Sequence, residues 1–521
     1  MAAPERRRRL ARATALFAAA TGLSRVLGFV REIVTAYFFG VRGSINAFEV
    51  AFLVPNTVRS LVADQALSAA FVPVFSELLA KGERARAWRV ASTVFWLMLL
   101  GLGGLTAIFT LVAPWVMPAL FPAYDQELLV SLSRILFPTV VLLGVSGVIV
   151  GILNSYEHFT VPALAPVAWN LAIIFGVALG VPHADSTDTK LQIYAVSILV
   201  GTVIQVLLPV PWLRGRDGRL RVLLDIRDPA VKQIFVLMVP VTLALGLINF
   251  NALIDGIFAS RLVDPDLAPA AINKAFRLYM LPQGIFSVAV ATVLFPALSR
   301  LAALGDTQGF LRTTNAGLRQ IAFLLVPASV AAAVLAEPIV RIVYQRGEFT
   351  ADQTPVVAGA LAAFALGLTF NGAMLMLNRA FFSLQLPWLP TWVAVANLGV
   401  NAFFDALFYR FGIWGIPLAT SLVNVAGTGA LLYLLRRRLG HIDLRETGRS
   451  AVRIVVASCA LAVVAFGVWY GLDAALGRSL PAQIVSVSSA LAAGGVVYLV
   501  ACRLLGVAEL QALLSLRRGR S

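Results

Sequence analysis

The chain is poor in charge, in cysteine and in histidine, and each shortage closes off a class of protein. Only 13% of its 521 residues are Asp, Glu, Lys or Arg, where a soluble domain carries roughly 25%. That is too little polar surface to cover a water-soluble core of this size. The two cysteines, Cys459 and Cys502, sit far apart inside apolar runs, so the sequence holds neither a disulfide framework nor metal-ligand spacing. The three histidines, His158, His183 and His441, lie in or near loops, which speaks against a histidine proton relay. Acids between the apolar runs are few and scattered. A polytopic glycosyltransferase or phosphatase would gather acids or histidines at one membrane face for base or metal chemistry.

What the chain has in abundance is apolar length: 59% of it is hydrophobic. Its long apolar runs are separated by short polar punctuation, the pattern of membrane-spanning helices. They are too long and too uniformly apolar for barrel strands. The sequence predicts an all-α membrane protein of about 14 transmembrane helices. The approximate spans are 13–40, 46–79, 87–118, 128–153, 160–181, 191–213, 231–261, 270–301, 313–344, 354–383, 387–409, 412–435, 450–472 and 481–505. Arg6 to Arg9 and Arg12 before an apolar run resemble a cleaved signal peptide. The run, however, continues past Tyr37, lacks a small-x-small cleavage site and contains Arg25 and Arg31, so it reads as the first span.

The net charge of +16 is a topology signal before it is a binding signal, and no nucleic-acid partner is expected. With the N-terminus cytoplasmic, the inside loops are the basic ones. They hold Lys81, Arg84, Arg86 and Arg89, then Arg214, Arg216, Arg219, Arg221 and Arg227, then Arg436 to Arg438, Arg445 and Arg449. The C-terminal tail adds Arg517, Arg518 and Arg520. The outside loops hold single cations, Arg42, Arg346 and Arg478, and acids such as Asp125, Glu127, Asp185, Asp188, Asp264 and Asp266. The bias agrees with an even span count and both termini cytoplasmic.

Two pairs of segments recur at nearly one offset. Phe71-Val72-Pro73-Val74-Phe75-Ser76 matches Leu294-Phe295-Pro296-Ala297-Leu298-Ser299, an offset of 223 residues. Leu153-Asn154, then Pro162 and Asn170, matches Leu377-Asn378, then Pro387 and Asn397, an offset of 224 for the anchor pair. The recurrence predicts two pseudo-symmetric six-helix lobes, 1–223 and 224–438, and a third segment, 439–521, with two further helices and a basic tail. Six is even, so the repeat is parallel and the substrate path is expected between the lobes.

Charges inside the spans are the most informative residues. A central Arg costs roughly 2.5–3.5 kcal/mol on insertion scales, so it needs a polar cavity or a partner. Arg25 and Arg31 lie in the first span, Arg59 in the second and Arg277 in the eighth, with Lys274 three residues before Arg277 on the same helical face. Arg25 and Arg31 point about 120° apart on a straight helix, and Gly22 and Gly28 offer a place to bend. Nearby acids are fewer: Glu32, Glu49 and Asp64. A cationic, partly desolvated cavity suits an anion, and Arg matches phosphate oxygens in a bidentate way. Pairing of each Arg with its own carboxylate, or snorkelling, is the bland alternative. A second polar group is Asp255, with Asn401 and Asp405 one turn apart and Thr420 in the next span. These hard oxygens are a candidate sodium or proton site, and otherwise a structural hydrogen-bonding cluster.

Ser24-Arg25-Val26-Leu27-Gly28-Phe29-Val30-Arg31-Glu32 resembles the signature of the MurJ/MviN family of lipid II flippases. So do Pro55-Asn56 with Arg59, Ala69-Ala70-Phe71-Val72-Pro73, and Gly151-Ile152-Leu153-Asn154 through Pro162 and Asn170. Arg277 with Pro282, Gly347-Glu348-Phe349-Thr350 and Arg379-Ala380-Phe381-Phe382-Ser383 extend the resemblance over essentially the whole chain. It implies the fold of the multidrug/oligosaccharidyl-lipid/polysaccharide exporter superfamily in the cell inner membrane. The implied activity is transport, not catalysis, by alternating access. The implied substrate is undecaprenyl-diphosphate-linked peptidoglycan precursor, lipid II. By motif position it makes Arg25, Arg31, Arg59 and Arg277 diphosphate ligands, accompanied by Lys274, Glu32 and Asn56, and gives the last two helices a groove for the prenyl tail. No cofactor is expected beyond a coupling sodium ion or proton, and the chain is expected to act as a monomer. Another polyprenyl-diphosphate glycan, an O-antigen or capsule unit, is the alternative cargo. A drug-cation exporter fits less well, since these arginines would repel its cargo. Two positions depart from the family pattern: Asn46 and Met280 stand where members often carry an acid.

Overall fold

A computed structural model describes residues 3–62, 65–440 and 444–511, with side chains for all of these but 3–15, 61–62, 65–66, 68–69, 240–241, 243–248 and 444–445. Asp64, His441 and the C-terminal arginines lie outside the described residues, as do the side chains of Arg6 to Arg9, Arg12 and Arg445. Among the described residues every regular element is a helix and no strand occurs. Among the described residues, eleven helices are long and apolar enough to cross a membrane. They coincide with every expected span from 87 onward except 231–261. The other three expected spans also fall on helices: Ala3–Phe39, the pair Ile45–Val62 and Gln65–Ala80, and Pro229–Phe258. Side chains such as Trp115, Val293 and Val463 are more than two-thirds exposed, an arrangement suited to lipid rather than water.

Packing divides the chain into two compact units, residues 1–261 with 265–269 and residues 262–264 with 270–521. The first holds α1 (Ala3–Phe39), α2 (Ile45–Val62), α3 (Gln65–Ala80), α4 (Arg84–Leu120), α5 (Gln126–Leu136), α6 (Pro138–Ser155), α7 (Thr160–Gly180), α8 (Thr187–Leu207) and α9 (Pro229–Phe258). The second holds α10 (Ala268–Pro282, apart from its first two residues), α11 (Val288–Ala303), α12 (Thr307–Val334), α13 (Ala336–Tyr344) and α14 (Thr354–Ser383). It continues with α15 (Trp388–Phe408), α16 (Gly415–Leu439), α17 (Leu444–Leu476) and α18 (Leu480–Leu504). The recurrence divides the sequence at 223/224, whereas packing keeps α9 with the first unit. α3 and α11, which carry the first recurrent pair, are both 16 residues long with Pro73 and Pro296 at the same position.

Local chemistry sets the helix ends. Asp125, Ser186, Asp228 and Asp306 each accept a hydrogen bond from a backbone N–H of the turn that follows, starting α5, α8, α9 and α12. Prolines inside spans are tolerated when neighbouring groups satisfy the backbone they free. Pro327 deprives the Phe323 carbonyl of its intrahelical donor, and the buried Tyr498 hydroxyl of α18 donates to that carbonyl at 2.6 Å. Ion pairs tie α12 and α13 to α17 and to the segment that follows α18. Arg319 of α12 meets Glu446 at 3.0 Å and Glu509 at 2.9 Å, and Arg341 of α13 meets Asp473 at 3.5 Å. Tyr498→Phe deletes one donor and is expected to lower stability by about 1–2 kcal/mol, measured as a fall in Tm in detergent. An unchanged Tm would show that another group serves the Phe323 carbonyl.

The basic stretch 214–228 folds back on the start of α4. Arg221 N–H donates to Ser92 Oγ and Asp225 N–H to Thr93 Oγ1, both at 3.0 Å, and Trp96 Nε1 donates to the Arg221 carbonyl at 2.8 Å. Gly218 is required here, because a Cβ would lie 2.3 Å from the Trp88 ring. Asp228 closes the stretch by accepting two hydrogen bonds from Arg86, each 2.9 Å. Hydrogen bonding to Arg86 holds the Asp228 carboxyl below the ordinary carboxylate range, against the opposing effect of burial. Its folded value lies below the unfolded value of about 3.9, so this contribution is complete at neutral pH and is lost as pH falls through the depressed range. Asp228→Asn protein should lack that part of the acid-induced fall in Tm, so that the gap to the native protein narrows below about pH 4. Parallel Tm–pH curves would remove the pair from the account of acid stability.

Candidate functional site

Four helices of the first unit bring a cationic cluster together. α1 carries Arg31 and Glu32, α2 carries Asn56 and Arg59 one turn apart, α7 carries Trp169 and α8 carries Thr202. Asn56 and Arg59 line a narrow cleft with Phe52, Trp169 and Thr202. The Arg31 guanidinium lies over the Trp169 ring, 4.7 Å from its centroid. Arg31 Nη2 donates to Glu32 Oε1 at 2.8 Å, and the two side chains are only 12% and 9% exposed. Glu49 and Tyr194 lie within electrostatic reach of Arg31. Trp169 is thus common to Arg31 and Arg59, which the sequence had placed on separate helices with no sign of a shared neighbour.

Arg25 is placed differently. α1 runs as one helix through Gly22 and Gly28, and Arg25 stands on its exposed side with Leu23 and Val26, as the angular separation from Arg31 requires. In the second unit, Arg277 Nε donates to Asn273 Oδ1 at 3.2 Å. Lys274 is 3% exposed. Its Nζ lies 5.9 Å from the Tyr344 ring, and the Tyr344 hydroxyl donates to the Lys274 carbonyl at 3.3 Å. Lys274 is therefore packed into the second unit, while Arg277 is half-buried.

The candidate ion ligands fall in both units. Asn401 and Asp405 of α15 are wholly buried, and Asn401 Nδ2 donates to Asp405 Oδ2 at 2.9 Å. Thr420 of α16 donates to the Ile416 carbonyl of its own helix at 3.4 Å. Asp255 belongs to α9 in the first unit. No group of three or more His, Cys, Asp or Glu with metal-site spacing occurs among the described residues. Cys459 and Cys502 are free thiols.

Asn46, one of the two departures from the family pattern, has a defined task. Its wholly buried amide donates to the carbonyls of Val41 at 3.0 Å, Gly43 at 3.0 Å and Asp266 at 2.6 Å. Gly43, which takes φ +80°, donates its own N–H to the Asp266 carbonyl at 2.8 Å. The turn between α1 and α2 is thereby tied to the segment 265–269. Met280 lies exposed on α10. Sequence reasoning missed Trp169, Thr202, Asn273 and Tyr344, because an aromatic, hydroxyl or amide residue within an apolar helix reads as ordinary packing until its neighbour is known.

The comparisons with known proteins agree with one another. The profile of the family described as "Lipid II flippase MurJ" matches residues 35–478. The lipid II flippase MurJ of Burkholderia cenocepacia is 31% identical over 432 residues, covering 81% of this chain and 82% of that protein. A probable lipid II flippase MurJ of Vibrio cholerae is 30% identical over 519 residues, covering 96% and 97%. A solved structure of lipid II flippase MurJ in an inward closed conformation superposes with a TM-score of 0.75 at 24% identity, covering 94% of this chain and 98% of that one. An inward-facing multidrug transporter of the MATE family shares the fold, with a TM-score of 0.68 at 16% identity over 82% of this chain and 98% of that one. The family-wide profile match and the near-complete coverage of its relatives place this chain in the lipid II flippase MurJ family.

Proposed function

We propose that this chain carries lipid II, the undecaprenyl-diphosphate-linked peptidoglycan precursor, from the inner to the outer leaflet of the cell inner membrane by alternating access. The observation that carries the reading is the buried Arg31 guanidinium, grouped through Trp169 with Arg59 and Asn56. A diphosphate cannot cross hydrocarbon unaided, because an unpaired buried charge is prohibitively costly. Fixed guanidinium groups supply temporary counter-charge in the geometry that phosphate oxygens accept. Arg31, Arg59 and Asn56 form the station of the first unit, with Glu32 holding Arg31. Arg277, with Lys274 packed behind it, forms that of the second, and Arg25 on the exposed side of α1 serves the approach. The prenyl tail stays in lipid throughout. Both termini are cytoplasmic, as the basic loops require, and the chain works as a monomer. Asn401, Asp405 and Thr420 of the second unit serve a sodium ion or proton that resets the carrier, and Asp255 of the first unit is a separate candidate for the same role.

The test is translocation of labelled lipid II by the purified chain in liposomes, together with rescue of a bacterial strain lacking its own lipid II flippase. Vesicles that expose no label to the opposite leaflet, and a strain that stays arrested, would reject the reading. Transport of an O-antigen or capsule unit in place of lipid II would reassign the cargo. Running the assay with and without a sodium or proton gradient decides the coupling ion, and turnover indifferent to both would retire the ion site.

A further inference from the structure

A guanidinium sits on a long, flexible stem, and its bidentate match to a diphosphate is lost unless its plane is held. In the first unit the holding falls to Trp169. The ring lies 4.7 Å from Arg31 Cζ, within cation–π range. Glu32 engages Nη2, and Nε is buried with no hydrogen-bond partner among the described residues. The group is therefore gripped on one face and one edge. Trp169 is itself braced from α8. Its Nε1–H donates to Thr202 Oγ1 at 3.1 Å, and that hydroxyl donates its own proton to the Ile198 carbonyl at 2.7 Å, which leaves the oxygen facing the indole as an acceptor. On the same helix, a Cβ at Gly201 would stand 3.1 Å from the Trp169 carbonyl oxygen and 3.2 Å from its Cδ1, so the indole lies against bare backbone. Trp169 also borders the cleft that holds Asn56 and Arg59.

We infer that Trp169 is a positioning residue for anion recognition: braced by Thr202 and Gly201, it holds the Arg31 guanidinium in the orientation that meets a lipid-borne diphosphate. The inference rests on the reading of Arg31 as a diphosphate ligand. A tryptophan serves here because it combines a π face for the cation with an N–H for the brace. Phenylalanine supplies only the first, and an aliphatic side chain neither.

The test titrates undecaprenyl diphosphate into the purified full chain in detergent. Trp169→Leu is expected to weaken binding by about tenfold, and to add nothing in an Arg31→Ala background, because Trp169 acts through Arg31. Trp169→Phe and Thr202→Val should fall between native and Trp169→Leu. The indole supplies a second readout: the emission difference between native and Trp169→Phe protein should shift on adding the probe, and the shift should vanish with Arg31→Ala. Native affinity in Trp169→Leu, or an equal loss in the Arg31→Ala background, overturns the positioning role. If Trp169→Leu does not fold, Thr202→Val decides in the same way: native affinity overturns the brace, and a loss that disappears in the Arg31→Ala background supports it. If Arg31→Ala binds the probe as native does, the diphosphate reading itself fails. The Trp169–Arg31 grip is then judged alone, by whether Arg31→Ala without probe changes the Trp169 emission.

Discussion

Arg31→Ala protein that inserts and remains folded is expected to lose at least about tenfold in lipid II translocation, since each hydrogen bond to a charged group is worth ~1.5–3 kcal/mol. The same loss is expected for Arg59→Ala, which borders the same cleft. Arg31→Lys should recover only part, because an ammonium keeps the charge but loses the planar fork and the stacking on Trp169. Arg31 is mostly buried and paired with buried Glu32. Breaking a buried pair costs about 3–5 kcal/mol, so part of any loss in Arg31→Ala reflects weakened packing. Arg25 separates the two effects. It stands on the exposed side of α1, and its removal disturbs little packing. A translocation loss in Arg25→Ala at unchanged Tm therefore reports contact with substrate. Native rates in Arg31→Ala and Arg59→Ala, at native expression and Tm, would end the cationic account of the site.

Asn46→Asp is expected to be strongly destabilising for so small a change in side-chain shape. The side chain is wholly buried and its amide nitrogen faces three carbonyl oxygens. A carboxylate brings an acceptor, with charge, to three acceptors. Its options are to stay ionised at a cost of several kcal/mol or to take up a proton and donate once. The native state then binds more protons than the unfolded one, so the stability deficit of Asn46→Asp shrinks as pH falls. That sign is opposite to the one argued for Asp228. Asn46→Ala, which removes donors without adding charge, should cost about 1–3 kcal/mol with no pH dependence of its own. A Tm deficit of Asn46→Asp that stays constant from neutral to acid pH would mean that the carbonyl-lined pocket rearranges around the new group. This turn therefore requires a donor at position 46.

Some features were legible from one dimension. Eleven of the fourteen expected spans coincide with helices of sufficient apolar length, because the thickness of a bilayer sets a residue count that a sequence displays directly. The arginines stood out for the same reason: the cost of a charge at bilayer depth depends on its position along a span, not on its neighbours. The matching positions of Pro73 and Pro296 likewise survive as equal helices. Other features were not legible. The passage of α9 into the first unit, the packing of Lys274 near Tyr344 and the exposed placement of Arg25 all depend on which helix lies beside which. The tie from Asn46 to Asp266 joins residues far apart in sequence, and no local pattern announces it.

By itself, then, the sequence determined the helical membrane class, most of the apolar runs, the family signature and the short roster of costly cations, since each is read along a single line. Only the tertiary structure decided that Arg31 lies on Trp169, that Trp169 leans on Thr202, and that Asn46 closes a turn onto Asp266. These are contacts between residues tens to hundreds of positions apart, and their geometry is created only when the chain packs.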